Sequence, residues 1–416
     1  MIPDSGQKND PFVSIKITEF RNLMTGRFLF VMALRMMSTS VGWWVYELTH
    51  DPFAIGLLGL SEIVPALSFA LYAGHVIDLS EKRKLLLRGI FFYLCCASVL
   101  LFLSSNFSSH HLSNHWITLC IYGVIFCSGI VRAFAGPTFA VLLAYIVPKE
   151  VLQNATTWSQ GTWLSASVSG HAAGGFLIAA FGISGSLTAI CILMVSALLV
   201  LSLIKPKKSL STPGEKKTWE SVKEGLRFVF KTKVILGAMS LDLFAVLFGG
   251  AVAMVPVYAS DILKVGPLGF GWLNAASDIG SICIVVLLTL VPFKRNQGSK
   301  LLFAVSGFGC CIILFALSKW FWLSFAALMV SGMLDGVSVV IRGTILQLRT
   351  PMKLRGRVMS VNSMFINSSN ELGQFESGVA AKIMGVVPSV VFGGCMTLLV
   401  VITTWIKAPG LRKFEY

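Results

Sequence analysis

Apolar positions along the chain fall into long runs broken by short polar turns, with neither strict alternation nor a sustained heptad. A helix that crosses hydrocarbon needs about 20 mostly apolar residues. Reading for such runs predicts twelve, near 21–47, 53–77, 84–104, 116–147, 152–181, 183–204, 233–260, 268–292, 299–318, 320–348, 355–385 and 388–407. A membrane β-barrel would instead show alternating segments of about ten residues. The pattern therefore predicts an all-α membrane protein with twelve transmembrane helices. The first 17 residues are polar, with no short apolar region and small-residue cleavage site, so the first run is expected to stay as a permanent span.

The longest polar stretch, KPKKSLSTPGEKKT, lies between the sixth and seventh runs. After it, in WESVKEGLRFVFK, Trp219, Val222, Leu226, Val229 and Phe230 share one helical face, and Glu220, Lys223, Glu224, Arg227 and Lys231 fill the other. That pattern predicts an amphipathic helix on the inner membrane surface, or else an extension of the seventh span. The chain then divides into an N-terminal six-helix bundle (1–204), a cytoplasmic linker (205–232) and a C-terminal six-helix bundle (233–416). GIVRAFAGPTFAVLLAYIVP and GMLDGVSVVIRGTILQLRTP both run from Gly to Pro across the same distance. In the same register Gly170 meets Gly373 and Gly175 meets Gly378, so the bundles read as pseudo-repeats, an architecture of secondary transporters.

Composition agrees. Hydrophobic residues are 55% of the 416 and charged residues 13%, against roughly 25% charged in soluble domains. The net charge of +15 would suggest nucleic acid in a soluble protein, but its placement argues otherwise. With both termini inside, 28 of the 34 Lys and Arg fall on the inner side and three on the outer side, Lys264, Lys319 and Lys382. That bias is the positive-inside rule, and it leaves no call for a nucleic-acid partner. The nine cysteines sit in apolar runs without metal-ligand spacing and read as inert thiols, and His110, His111 and His115 read as a solvated loop. No metal and no cofactor are expected. No G-x-x-x-x-G-K-[ST] loop occurs, which disfavours ATP as the energy source.

One loop is more specific. In ALYAGHVIDLSEKRKLLLRG, Gly74 permits close helix approach, Asp78 ends a helix, and Lys82, Arg83 and Lys84 form a basic cluster. Gly74, Asp78, Lys82, Arg83 and Lys84 resemble the signature gating loop of the major facilitator superfamily. The loop departs from that pattern at Leu79 and Glu81, and its counterpart VPFKRNQGSK keeps the bases but lacks the acid. Within the superfamily, GLSEIVPALSFALYAGHVID, MSLDLFAVLFGGAVAMVPVYA, QLRTPMKLRGRVMSVNSMFINSSNELGQFESG and VVPSVVFGG resemble the enterobactin-exporter-like branch, which handles siderophores and drugs. The resemblance implies a monomer of the bacterial inner membrane, multi-pass with both termini cytoplasmic. It would perform proton-coupled efflux of a small organic molecule by alternating access. A lipid or lysolipid flippase-like transporter and an importer of nutrients or metal complexes are the alternatives. Exporters of this superfamily carry a Gly-Pro pair in span five. Here the stretch is SGHAAGG, with Gly170, Gly174 and Gly175 kept for helix packing and His171 in place of the proline. His171 is then either a pH-sensitive group or a histidine hydrogen-bonded between helices.

Ionisable groups inside a membrane are functional candidates by default. The resemblance places spans one, four, seven and ten around a central cavity, which makes Arg35, Arg132, Asp335 and Arg342 cavity residues together with Asp242. Asp242 is the first candidate for proton coupling, followed by Glu62, Glu371 and Asp278, since burial favours the neutral form of a carboxylate. Arg35 would hold anionic cargo or compete for the Asp242 carboxylate. The alternative for each residue is a static salt bridge. Trp43, Trp44 and Tyr46 in span one, with Trp158 and Trp163 in span five, could stack on cargo rings or anchor at the interface.

Overall fold

The computed structural model describes residues 11–206, 218–290, 296–352 and 354–415; the side chains of Gly74 and Asp78 are among a few within these ranges that are not described. Among the described residues the regular structure is helical. The long helices are α1 (Thr18–Thr49), α2 (Pro52–Leu79), α3 (Lys82–Leu103), α4 (Asn114–Ile146), α5 (Leu152–Ser202), α6 (Thr218–Lys231), α7 (Lys233–Phe248), α8 (Gly266–Leu290), α9 (Gln297–Leu317), α10 (Phe321–Arg349), α11 (Arg355–Met384) and α12 (Val386–Lys407).

Ten helices among the described residues are long and apolar enough to cross a membrane, not the twelve expected from the runs. Two physical facts account for the difference. The stretch through α5 counts once, although Gly182 within it has φ 69° and ψ −175°, a conformation open mainly to glycine. The chain turns back there: Ser184 Oγ donates to the Ser104 carbonyl at one end of α3, and Arg83 at the other end donates to the carbonyl of Ser202. The other fact concerns α11, which is 30 residues long but carries the polar run NSSNELGQFES and is not among the ten.

The chain folds as two compact units, Met1–Ser40 with Ser68–Gly214, and Val41–Leu67 with Glu215–Tyr416. In the first unit α3 packs on α4 and α5 through Leu86, Ile90, Tyr93, Ala97 and Leu100, spaced three and four apart so that they share one face. Phe30 of α1 meets Tyr93 at 5.4 Å and Phe139 at 5.7 Å between ring centroids. The opposite face of α3 exposes Phe91, Phe92 and Phe102, an apolar surface suited to lipid.

In the second unit α8 and α10 cross through small residues. Gly332 lies against the backbone of Ser277, and Ser281 Oγ donates to the Gly332 carbonyl at 3.1 Å. The linker's residues 207–217 lie outside the described residues. Beyond them α6 forms where its amphipathic pattern predicts, but its apolar edge is packed in protein. Val229 is fully buried with Ile235, Met239, Leu346, Val358 and Val361, while Phe230, assigned to the same face from sequence, is exposed. Thr232 leaves helical geometry, so α6 does not run on into α7.

Candidate functional site

The polar centre of the second unit grows from two apolar helices. Asp242 interrupts KVILGAMSLDLFAVLF in α7, and Asp335, Ser338 and Arg342 recur at three and four residues along α10, which places them on one face. Arg342 Nη1 is ion-paired with Asp242 Oδ1 and lies 3.3 Å from the Ser338 hydroxyl, to which it donates. Exposure of Asp242 is 6% and of Arg342 3%, so the pair is screened from water. Asp242, Asp335 and Ser338 line a cavity of about 10 Å³ whose other walls include Ala245, Val305 and Phe308. That is close to the least space that holds one water. Asp335 interacts electrostatically with both Asp242 and Arg342 yet makes no hydrogen bond or ion pair among the described residues. One cation is thus ion-paired with one carboxylate and under the electrostatic influence of a second, an arrangement that can exchange a proton by exchanging partners.

Arg342, not Arg35, is the cation on Asp242. Arg35 lies in the first unit, its guanidinium 5.1 Å from the centre of the Trp163 ring. There α1 and α5 touch closely: a Cβ on Gly170 would stand 2.6 Å from the Met32 carbonyl oxygen, and one on Gly174 3.3 Å from the Met36 Cα. Gly175 is buried beside them. His171 Nδ1 is 2.8 Å from Thr39 Oγ1, a hydrogen bond across the same seam. Arg132 sits half-buried on α4.

The remaining candidate carboxylates lie elsewhere in the second unit. Glu371, buried in α11, accepts from Gln374 Nε2 at 3.1 Å, and its carbonyl oxygen would be 2.8 Å from a Cβ on Gly59, one turn before half-buried Glu62. Gly56 and Gly378 bring α2 and α11 into backbone contact on the same seam, 3.0 Å from a Gly56 Cβ to the Gly378 Cα. Asp278 lies half-buried on α8. Trp43 and Trp44 are buried, with the Trp43 ring 5.5 Å from Phe270. Of the loop residues, Lys82 is buried and donates to the Ile77 carbonyl at the end of α2, Arg83 donates to the Ser202 carbonyl, and Lys84 is 4.0 Å from Glu81.

Sequence reasoning missed three partners. Tyr46 donates to Asp261, which sits in a π-helical turn at Tyr258–Ile262. Lys382 lies 3.8 Å from Asp51 and 4.5 Å over the Phe53 ring. Lys382 stands out in the sequence as one of three bases on the outer side, and that oddity is the available signal. Ser338, a plain hydroxyl in an apolar run, offered none.

Comparison with known proteins places this geometry in a family. Residues 23–374 match the family model of the Major Facilitator Superfamily. The chain is 24% identical over 406 residues to the enterobactin exporter EntS of Shigella flexneri, covering 95% of this chain and 93% of the relative. It is 24% identical over 405 residues to the enterobactin exporter EntS of Escherichia coli O1:K1 / APEC, with the same coverage of 95% and 93%. Among solved structures, a mutant of the nucleoside transporter NupG superposes with a TM-score of 0.74 at 12% identity, covering 93% of this chain and 99% of that one. A D-xylose-proton symporter superposes with 0.72 at 15% identity, covering 98% and 100%.

Proposed function

The chain belongs to the major facilitator superfamily, so it is a multi-pass membrane transporter of small organic molecules and not an enzyme, and from that premise we propose that Asp242, Arg342 and Asp335 couple its transport to protons. The observation that carries this reading is the buried Asp242–Arg342 ion pair with a second carboxylate, Asp335, interacting electrostatically with both members. Proton arrival at Asp242 neutralises it and releases Arg342. Asp335, seven residues away on the same face of α10, is the carboxylate within the guanidinium's range. Loss of the proton restores the Asp242 pair. An exchange of this kind lets a proton favour one packing of α7 against α10 over another. Glu62, Glu371 and Asp278 remain secondary proton sites in this reading.

The same reading gives twelve crossings in a six-plus-six arrangement. The fold-back at Gly182 supports counting α5 as two, and α11 crosses with its polar face packed on Gly56, Gly59 and Gly250. The bundles are 1–204 and 233–416, joined by the 205–232 linker, with both termini cytoplasmic in a bacterial inner membrane, as the distribution of Lys and Arg supports. Lys82, Arg83 and Lys84, with Gly74 and Asp78, form the gate at that face. Arg35, Arg132 and Trp163 line the cargo path in the first unit, and Trp43 and Trp44 are candidate cargo-stacking residues of the second.

Two directions use the same proton site. Likeness over nearly the whole chain to proteins named enterobactin exporters supports efflux of a siderophore-like molecule by antiport. The fold neighbours described as a nucleoside transporter and a D-xylose-proton symporter support import of a nutrient by symport. Proteoliposomes with an imposed proton gradient decide between them. Cargo moving against the proton flow establishes antiport, cargo moving with it establishes symport, and movement indifferent to the gradient removes proton coupling. The panel to test is a catecholate siderophore, a nucleoside, D-xylose and a cationic drug.

A further inference from the structure

A groove in the first unit, between the first turns of α1 and α5, has no part in proton coupling. It encloses about 390 Å³ and is lined by Arg21, Met24, Thr25 and Phe28 of α1 and Trp158 and Thr162 of α5. Small-molecule sites begin at about 300 Å³. Three aromatic side chains line it, Phe20, Phe28 and Trp158, and the last of these is held in place. Trp158 Nε1 donates to the Pro11 carbonyl at 2.9 Å, and Asn154 Nδ2 donates to the same oxygen at 2.8 Å. The Phe12 ring packs 5.7 Å from the indole, so the segment before α1 straps Trp158 against the groove. The Thr162 hydroxyl, which donates to the Trp158 carbonyl at 2.8 Å, adds a polar edge.

Arg21 is the charged member. Its guanidinium is exposed, and its one polar partner among the described residues is the Thr18 hydroxyl at 3.3 Å, with no carboxylate against it. Arg21, Phe28 and Arg35 recur every seven residues and so share a face of α1. Arg35 stands about 21 Å further along the helix at 1.5 Å per residue, stacked on Trp163. Cation, ring and cation thus follow one another along α1.

We propose that this groove is a binding site for a small aromatic anion, its ring between Phe28 and Trp158 and its carboxylate on Arg21. It is the cytoplasmic station of a cargo path that continues to Arg35 and Trp163. The assignment of the groove to a cargo path rests on the transport reading above. A guanidinium with no carboxylate against it among the described residues offers charge-assisted hydrogen bonds to one, and rings favour stacked or edge contacts. Anionic lipid surfaces are read by clusters of four to eight bases, whereas this groove lines one cation with aromatic walls. The chemistry therefore selects a soluble aromatic acid over a headgroup.

The test uses the purified full-length protein in nanodiscs of neutral lipid, with salicylate as the probe and calorimetry as the readout. Benzyl alcohol supplies the ring without the charge, and acetate the charge without the ring. Salicylate is expected to bind, R21Q and F28A each to weaken it about tenfold or more, R21K to recover part of the loss, and K149Q to change nothing. Both controls should bind at least about tenfold more weakly than salicylate. If R21Q is poorly folded, F28A and R21K carry the comparison. Equal salicylate affinity in wild type, R21Q and F28A overturns the site. So does acetate binding as tightly as salicylate, or Arg21 substitutions that alter binding of phosphatidylglycerol nanodiscs alone. Binding is measured without a proton gradient, so the two readings fail separately. Salicylate binding through Arg21 in a protein that moves no cargo keeps the site and removes transport, and cargo movement with R21Q binding unchanged does the reverse.

Discussion

Asp242 and Arg342 form a buried ion pair between α7 and α10, and Asp335 lies within electrostatic reach of that cation without engaging it. Burying two charges is costly, and the pair persists because each charge compensates the other. Breaking one partner leaves the other uncompensated, which in comparable sites costs about 3–5 kcal/mol. R342A should therefore lower the thermal midpoint strongly. D242N with R342Q, which removes both charges, should recover most of that stability while losing proton-driven transport. A double variant no more stable than R342A would show that the pair does not hold α7 to α10.

Close packing of α1 on α5 depends on Gly170. A Cβ there would stand 2.6 Å from the Met32 carbonyl oxygen, whereas at Gly161 of the same helix nothing lies within 4 Å. G170A should destabilise by about 1–3 kcal/mol, as overpacking does. G161A should be neutral or stabilising by up to about 1 kcal/mol, since alanine is the better helix former. Thermal unfolding of the two variants side by side checks this, and equal midpoints would contradict it.

The C-terminal segment supplies an acid that the loop before α9 lacks. Glu415 Oε1 accepts from the Asn296 amide at 2.9 Å, at the start of α9, and the Gly298 amide donates to the Phe414 carbonyl at 3.1 Å. Phe414 is buried beneath Arg349, whose guanidinium lies 5.0 Å from the ring centre. F414A should cost about 3 kcal/mol, in the range for large-to-small core changes. E415Q should cost under about 1 kcal/mol, because this contact lies at the surface. Chemical denaturation of the two variants separates these effects, and the reverse order would contradict the packing account.

How much of this is legible in the chain varies with the kind of signal. The apolar runs locate nearly every helix, because a span must be long and apolar whatever its function. α11 lies among them by length, but its Asn, Ser, Glu and Gln residues keep it below the apolarity of the others, since its polar side chains pair within protein. Asp242, Arg342 and Asp335 stand out as charges inside spans. Their pairing does not, because the partner of a carboxylate on α7 is set by helix rotation and not by spacing. Sequence therefore offers Arg35 as a competitor for Asp242, although Arg35 stacks on Trp163 in the first unit. The apolar face of α6 reads one residue too wide: Val229 and Phe230 are both apolar, and only packing against Val358 and Val361 shows which is buried.

The central claim is that protons act through Asp242. Its most direct measurement compares two modes of transport in D242N proteoliposomes: movement driven by a proton gradient, and exchange of labelled for unlabelled cargo with no gradient. D242N should lose driven movement by about a hundredfold, equivalent to about 2.8 kcal/mol at 1.4 kcal/mol per factor of ten, while exchange persists near the wild-type rate. Driven movement that survives in D242N, with the proton-to-cargo ratio unchanged, would contradict it.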